Sequence, residues 1–474
     1  MKKIVLVALL LSYCYSPCSS QIDCPMNLRW QADIASTCAT MTMTMIHDAD
    51  ERPYLYVATK EAGLNIYDIH NRMQPVLVAT VPTSALGSLD VMNLSQNGTY
   101  LYLALGNTFT NPQQGGMAIV DVTAPTQPVV TDYYIVPGSA SGGGIVKTEG
   151  KYAYLGAMQS GLIVLDVSDK HDIQFVSQYI PSIQFPPVAN PNANLYNARG
   201  LEVKNSIVYL CYDAGGVRII NCTDKRAPIE TGRWCNPLMY KPLNHPKAYN
   251  NLVLDDTLLY VAVDYAGMEV LSIKDTSAMT LIGWWNPYNA PDNNWFTSPV
   301  HANEIHYQAS RRKVFMSTGK SDMKVIDVSN PRRPDSCTSY GGESNGLGTW
   351  GIGLYKNELY LSYICAVVPF ASNWTGVKIL TFDTTTTEVE EPIAIQQASI
   401  IPNPNIGTFM VNFGEAIAAH STLTIHNVLG QIVARQPISS EHEMITLDLP
   451  NGLYLYHVSS ISGIMKTGNL IIEK

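Results

Sequence analysis

Charge is scarce in this chain. Asp, Glu, Lys and Arg together make up 15% of its 474 residues, well below the ~25% of an ordinary soluble protein. An apolar share of 46% supplies a core and excludes general disorder. Lys and Arg number 30 against 39 Asp and Glu, a formal charge of −9, and no basic cluster occurs. Nucleic acid, which needs a positive stripe to displace counterions, is therefore not an expected partner. Beyond the first residues no stretch reaches the ~18 apolar residues of a membrane helix. Helical periodicity is missing too, and Phe (9) is rare beside Tyr (27), Gly (33) and Pro (28). That is the composition of half-buried strands joined by turns. No Gly-x-Ser-x-Gly elbow, phosphate loop, dinucleotide fingerprint or alternating Asp calcium loop occurs, so no cofactor or metal is expected.

The first segment reads as an export signal. Lys2 and Lys3 precede the apolar run Ile4 to Leu11, and small residues Cys18, Ser19 and Ser20 follow. This pattern predicts a signal peptide over 1–20, cleaved before Gln21. Leu11-Ser12-Tyr13 and Tyr15-Ser16-Pro17 lack the small residue needed just ahead of a lipidated Cys, so lipidation of Cys14 or Cys18 is not expected.

Repeats then decide the architecture. Seven times an apolar-aromatic strand is followed by a second apolar strand, introduced by Gly in all but one copy and usually ending in Asp. Examples are Leu101-Tyr102-Leu103-Ala104 with Gly116 to Val122, and Leu259-Tyr260-Val261-Ala262 with Gly267 to Val270. The aromatic positions 56, 102, 154, 209, 260, 315 and 360 lie 46, 52, 55, 51, 55 and 45 apart. Such a period without helices predicts an all-β fold, a seven-bladed β-propeller with four strands per blade, over 21–383. Blade seven lacks a fourth strand of its own. Asn27 to Ile34, within 21–40, is expected to supply it and so remove the open sheet edges. Ala118-Ile119-Val120-Asp121 and Ile163-Val164-Leu165-Asp166 resemble the repeat of the LVIVD family of extracellular propellers; the resemblance covers Met41 to Asp383 and implies a fold more than a function.

After a linker over 384–397, residues 398–474 form a different module. Alternating strands at Thr408 to Phe413, Thr422 to Ile425, Met444 to Leu449 and Leu453 to Val458 predict a small Ig-like β-sandwich. Three spaced motifs are present: Pro402-Asn403-Pro404 with Gly407, Asn427-Val428-Leu429-Gly430-Gln431, and Leu449-Pro450-Asn451-Gly452-Leu453-Tyr454. With the terminal Lys474, they resemble the C-terminal sorting domain of the Bacteroidetes type IX secretion system. The resemblance implies passage across the outer membrane, the secretion machinery as a partner, cleavage of the tail, and attachment of the rest to surface lipopolysaccharide or its release.

Seven cysteines remain after the signal segment, at 24, 38, 211, 222, 235, 337 and 365. An odd count leaves at least one thiol unpaired. Cys222 and Cys235 end neighbouring strands at opposite rims, roughly 20 Å apart at ~3.3 Å per residue, beyond disulfide reach. Cys211 falls where other blades carry Ala and reads as core. No bridge follows from the sequence.

Strand direction sorts the loops. The second-to-third and blade-to-blade connections share one rim and are long: Gly106 to Gly115, Pro181 to Asn197, Asn236 to Pro246, Asn286 to Val300 and Cys365 to Thr375. The opposite rim has short turns such as Asn330-Pro331-Arg332. Long irregular loops on a rigid scaffold mark the long-loop face as the working face. It carries Tyr196, Trp285, Tyr288, Trp295, Phe296, Phe370 and Trp374 among polar residues, which suits a glycan or protein ligand; the competing expectation is that such rings pack loops onto the rim. Arg199, His301 and Asn303 are placed near the channel mouth. Asp213 and Asp264 recur at equivalent positions and read as turn residues. His301, Glu304 and His306 do not form a metal set, because positions 301 and 306 on a strand point to opposite sides. The expected function is a secreted or cell-surface binding or adhesion protein, with a hydrolase or lyase acting on an extracellular polymer as the alternative. A His paired with a carboxylate around the channel favours the enzyme; scattered aromatics without such a pair favour binding.

Overall fold

The computed structural model describes residues 24–107, 112–138, 142–239, 248–289, 299–343, 345–366, 372–382, 399–412, 421–429, 431–438, 442–460 and 463–474. The expected signal segment lies outside them, as do Trp295, Phe296, Phe370 and Gly430. The chain forms two compact units, Met1–Asp383 and Thr384–Lys474. Helical structure among the described residues is limited to short 3-10 turns, and no helix there is long and apolar enough to cross a membrane.

The first unit is a seven-bladed β-propeller of four-stranded antiparallel sheets. Its inner strands are Met45–His47, Val91–Asn97, Ile145–Glu149, Leu201–Lys204, Tyr249–Asp255, Ile305–Gln308 and Thr349–Tyr355. Each touches the next, and the last returns to the first, so the ring closes. Second and third strands such as Leu101–Ala104 and Gly116–Val120 are buried on both faces because blades stack against one another. That is why they read as unbroken apolar runs rather than alternating ones. Outer strands such as Val76–Val81 are largely exposed.

Two sequence signatures acquire a physical cause here. The Asp or Asn ending the third strand makes an Asx turn: Asp68, Asp121, Asp166, Asn221 and Asp327 each accept the amide two residues on at 2.7–2.9 Å. This directs the chain into the connection toward the outer strand. The Gly opening the third strand has positive φ at Gly63, Gly161, Gly216 and Gly267, as with 76° at Gly216. A Cβ there would stand 2.0 Å from the Trp234 carbonyl oxygen, which only Gly avoids.

Leu28–Ala35 is the outer strand of blade seven, antiparallel to Gly376–Phe382 with Leu28 opposite Phe382 and Ala35 opposite Gly376. Two disulfides flank it, Cys24–Cys337 and Cys38–Cys365. Cys211, Cys222 and Cys235 are buried thiols.

The second unit has a three-stranded sheet (Ser399–Ile401, Thr408–Asn412, His442–Thr446) and a four-stranded one (Ile432–Ile438, Ser421–His426, Gly452–Ser460, Gly463–Ile472). Phe409 and Val411 of the first share a core with Leu423, Ile425, Val458 and Leu470 of the second, which makes a sandwich. The sorting-motif residues tie down its last strand. Asn403 accepts the Ile471 amide at 2.8 Å and donates to the Asn469 carbonyl at 2.7 Å. Asn451 accepts the Lys474 amide at 2.8 Å, and the Tyr454 hydroxyl donates to the Pro450 carbonyl at 2.9 Å. Asn427 accepts the amides of Leu429 and Gln431, closing a hairpin. Gly407 has φ of 99° and donates to Asn405 at 2.8 Å.

Candidate functional site

At the long-loop rim the entries of the inner strands converge on a cavity of about 30 Å³. Met43, Met92, Met158 and Trp350 form its apolar side, and Arg199, Asn250, Asn303 and Glu304 its polar side. Blade three contributes bare backbone there, Gly143 and Gly144. Asn93 and Glu304 also line a second cavity of about 330 Å³ further along the axis, where Lys147 pairs with Glu202 at 2.8 Å. Burial pushes the Glu304 carboxyl up, against the Asn251 hydrogen bond and the charge of Lys147. Burial also drives His306, in this second cavity, down to about 4, so it is neutral at neutral pH.

Arg199 reaches from blade four to Trp350 of blade seven, its guanidinium carbon 5.4 Å from the ring centre. Its nearest acidic oxygen is Asp213 Oδ1 at 3.7 Å, and the guanidinium hydrogen-bonds no described residue. Asp213 Oδ2 accepts from the Asn197 amide at 2.8 Å, whereas Oδ1 has no hydrogen-bond partner. Burial pushes the Asp213 carboxyl up to about 7; the nearby Asp264 adds to this, while Arg199 and Asn197 oppose it. Asn250 is buried and donates Nδ2 to the Ala302 carbonyl at 2.6 Å, which fixes the amide and leaves Oδ1 without a partner.

His301 does pair with a carboxylate, its Nε2 lying 2.9 Å from Asp264 Oδ1. Its Nδ1 lies 3.1 Å from Asn303 Oδ1, and Tyr265 packs edge-on at 4.9 Å. Asn303 in turn donates to the His301 carbonyl at 3.0 Å. Both imidazole nitrogens thus face oxygens of the protein. The pair fastens blade five to blade six. No group of three or more His, Cys, Asp or Glu among the described residues is arranged to hold a metal ion.

The aromatic residues divide differently. Trp285 is 5% exposed and donates Nε1 to Ser336 Oγ at 2.9 Å. Tyr196 is 3% exposed and packs on Tyr212. Neither offers a ring face to a ligand; both fill the seams between blades. Tyr288 donates its hydroxyl to Glu343 at 3.0 Å. Trp374 is half-buried, edge-on to Tyr363 at 5.3 Å, with Lys378 Nζ 4.8 Å from its ring centre. The long loop at 181–197 is pinned from below by fully buried Arg218, which donates to the Ser182 and Phe185 carbonyls at 3.0 and 2.8 Å and pairs with Glu230 at 3.0 Å. The structure therefore brings Arg199 and Asn303 to one cavity with His301 against Asn303, and leaves the described aromatics Tyr196, Trp285, Tyr288 and Trp374 dispersed.

Sequence reasoning missed Asn250, Met92 and Trp350, although a signal existed. Met92, Gly144, Arg199, Asn250 and Trp350 each stand ten residues before a repeat aromatic, at 102, 154, 209, 260 and 360. Aligning the repeats on that aromatic places all five at the mouth.

Comparison with protein-family models matches the LVIVD repeat at residues 53–83, 90–135 and 138–180, and the secretion system C-terminal sorting domain at residues 399–473. Among solved structures, the RRP9 WD40 repeats align with a TM-score of 0.55 at 10% identity, covering 76% of this chain and 100% of that one. U3-55K aligns at 0.52 and 10% identity, with 75% and 98% covered. The WD40 β-propeller domain of Doa1 aligns at 0.50 and 8% identity, with 76% and 98% covered. These likenesses speak to the fold alone. Comparison with curated proteins gives no match. The sorting domain indicates export to the cell surface or extracellular space and implies interaction with the type IX secretion machinery. The chain is thus a β-propeller with LVIVD repeats within residues 53–180, followed by a secretion system C-terminal sorting domain.

Proposed function

We propose that the propeller is a surface or secreted binding protein, adhesive in role, that takes a glycan or protein ligand at the long-loop mouth of its channel. Residues 1–20 act as the signal peptide. The tail is removed within the 384–397 linker, and the propeller is then held on lipopolysaccharide or released. The supporting observation is unused hydrogen-bonding capacity at and beside the mouth: the Arg199 guanidinium and the single oxygens Asn250 Oδ1 and Asp213 Oδ1 lack hydrogen-bond partners among the described residues. Buried polar groups left unpaired cost free energy, and a ligand that pairs them recovers it. The test is a glycan and host-protein array probed with purified propeller, wild type beside Arg199→Glu, with the short-loop double variant Arg332→Ala, Arg333→Ala as control. Binding lost in the first variant and kept in the control supports the proposal. No binding anywhere, or equal binding by Arg199→Glu, removes it.

Two features favour a second reading, a hydrolase or lyase on an extracellular polymer. His301 pairs with the Asp264 carboxylate at 2.9 Å next to Asn303 of the cavity wall, the arrangement expected of an enzyme. Burial also pushes the Asp213 carboxyl, beside Arg199, up to about 7, where a carboxyl can both give and take a proton. Product release from polysaccharides on the same array, abolished by Asp213→Asn, distinguishes it.

A further inference from the structure

Resting on the binding-protein reading, we infer that the mouth recognises the hydroxyl groups of a neutral sugar, with Arg199 donating and Asn250 accepting. The argument is one of matching what the mouth lacks. Asn250 Oδ1 is an acceptor without a donor, and its amide cannot flip to change this because Nδ2 is committed to the Ala302 carbonyl at 2.6 Å. The Arg199 guanidinium is a donor that hydrogen-bonds no described residue, its nearest carboxylate oxygen lying 3.7 Å away. Both line the same cavity.

Charge then selects the ligand class. An ammonium group would satisfy Asn250 but meet the Arg199 guanidinium. A carboxylate or phosphate would satisfy Arg199 but brings no donor for Asn250 Oδ1, which it would meet acceptor to acceptor. A hydroxyl donates and accepts at once and carries no charge, so it answers both groups without repulsion. The opposite wall, Met43, Met92, Met158 and Trp350, is apolar, which suits the C–H face of a sugar. Size agrees. A volume of about 30 Å³ holds roughly two water-sized groups. A hydroxymethyl or a vicinal pair of hydroxyls enters, while the rest of the sugar stays on the rim.

Saturation-transfer NMR on the full exported chain provides the test. The probes are methyl glucoside, methyl galactoside and methyl mannoside, with glucuronate and glucosamine as charged counterparts. At least one neutral glycoside is expected to receive saturation, with affinity falling about tenfold or more in Arg199→Met and the melting temperature nearly unchanged. Arg199→Lys keeps a donor, should fall between the two, and carries the test if the Met variant does not fold. Preference for glucuronate or glucosamine overturns the neutral class. Neutral binding unaltered in the folded variants overturns the location. Silence from all five probes overturns the inference; a protein ligand on the array lost in Arg199→Glu would then leave the binding-protein reading standing, whereas an array without ligands removes both.

Discussion

Breaking one of the two disulfides should loosen the ring at one place, by an amount that the connectivity sets. Both bridges join the N-terminal segment to blades six and seven: Cys24 to Cys337, 313 residues apart, and Cys38 to Cys365, 327 apart. The closing strand Leu28–Ala35 lies between the two N-terminal cysteines. With one bridge intact, the second closes only the 14 residues from Cys24 to Cys38 and the 28 from Cys337 to Cys365. Loop-closure entropy for about 42 residues amounts to about 4 kcal/mol, whereas the remaining bridge alone closes more than 300 residues and contributes about 6 kcal/mol. Removing either bridge as a Ser pair (Cys24→Ser with Cys337→Ser, or Cys38→Ser with Cys365→Ser) should therefore cost about 4 kcal/mol, and removing the second about 6 kcal/mol more. Denaturant unfolding measures the cost. Hydrogen exchange locates it, because amides of Leu28–Ala35 should exchange faster before any others do. Loss of one bridge at a cost under about 1 kcal/mol, with those amides still protected, would refute the clamp. Since disulfides form after export from the reducing cytoplasm, closure of the ring is coupled to compartment.

Other predictions are local. Trp285→Ala should cost ~3–5 kcal/mol in unfolding free energy and leave ligand affinity unchanged, because the ring packs between blades; a stable variant that has lost binding contradicts its placement. Asp213 has a folded value near 7 against an ordinary 3.8, so folding favours its protonated form. Stability is fullest below about 4 and declines as pH rises toward 7, by up to about 4 kcal/mol. Asp213→Asn should flatten that slope, and an unchanged slope in thermal melts from pH 4 to 8 rules the argument out. Mass spectrometry of the surface form should find a C-terminus within 384–397, and an intact Lys474 there refutes cleavage.

The repeat pattern made the propeller legible because each blade buries its middle strands on both faces and so leaves the same apolar stamp seven times. The edge strands of the tail were harder to read. Ile432–Ile438 contains Pro437, which argues against a central strand but is tolerated on the sheet edge where this one lies. Gly463–Ile472 carries Gly468, where a Cβ would stand 2.6 Å from the Tyr456 hydroxyl. The disulfides were illegible because their partners lie more than 300 residues apart and two sit in a segment outside the repeats. Aromatics were misleading in one respect: loop-end Trp285 and Tyr196 look like an exposed platform in the sequence, yet large rings are what best fill the wedge between splayed blades. The polar residues lining the mouth are isolated in sequence, and the ring brings them together.

The most direct measurement is hydrogen exchange of the propeller with and without whichever ligand the array selects. Ligand should slow exchange at the inner-strand entries, around Arg199–Gly200, Asn250 and Asn303–Glu304, and leave the opposite rim at Gln96–Gly98, Asp255–Thr257 and Asn330–Arg332 unaffected. Protection confined to that opposite rim would contradict the long-loop mouth as the binding site.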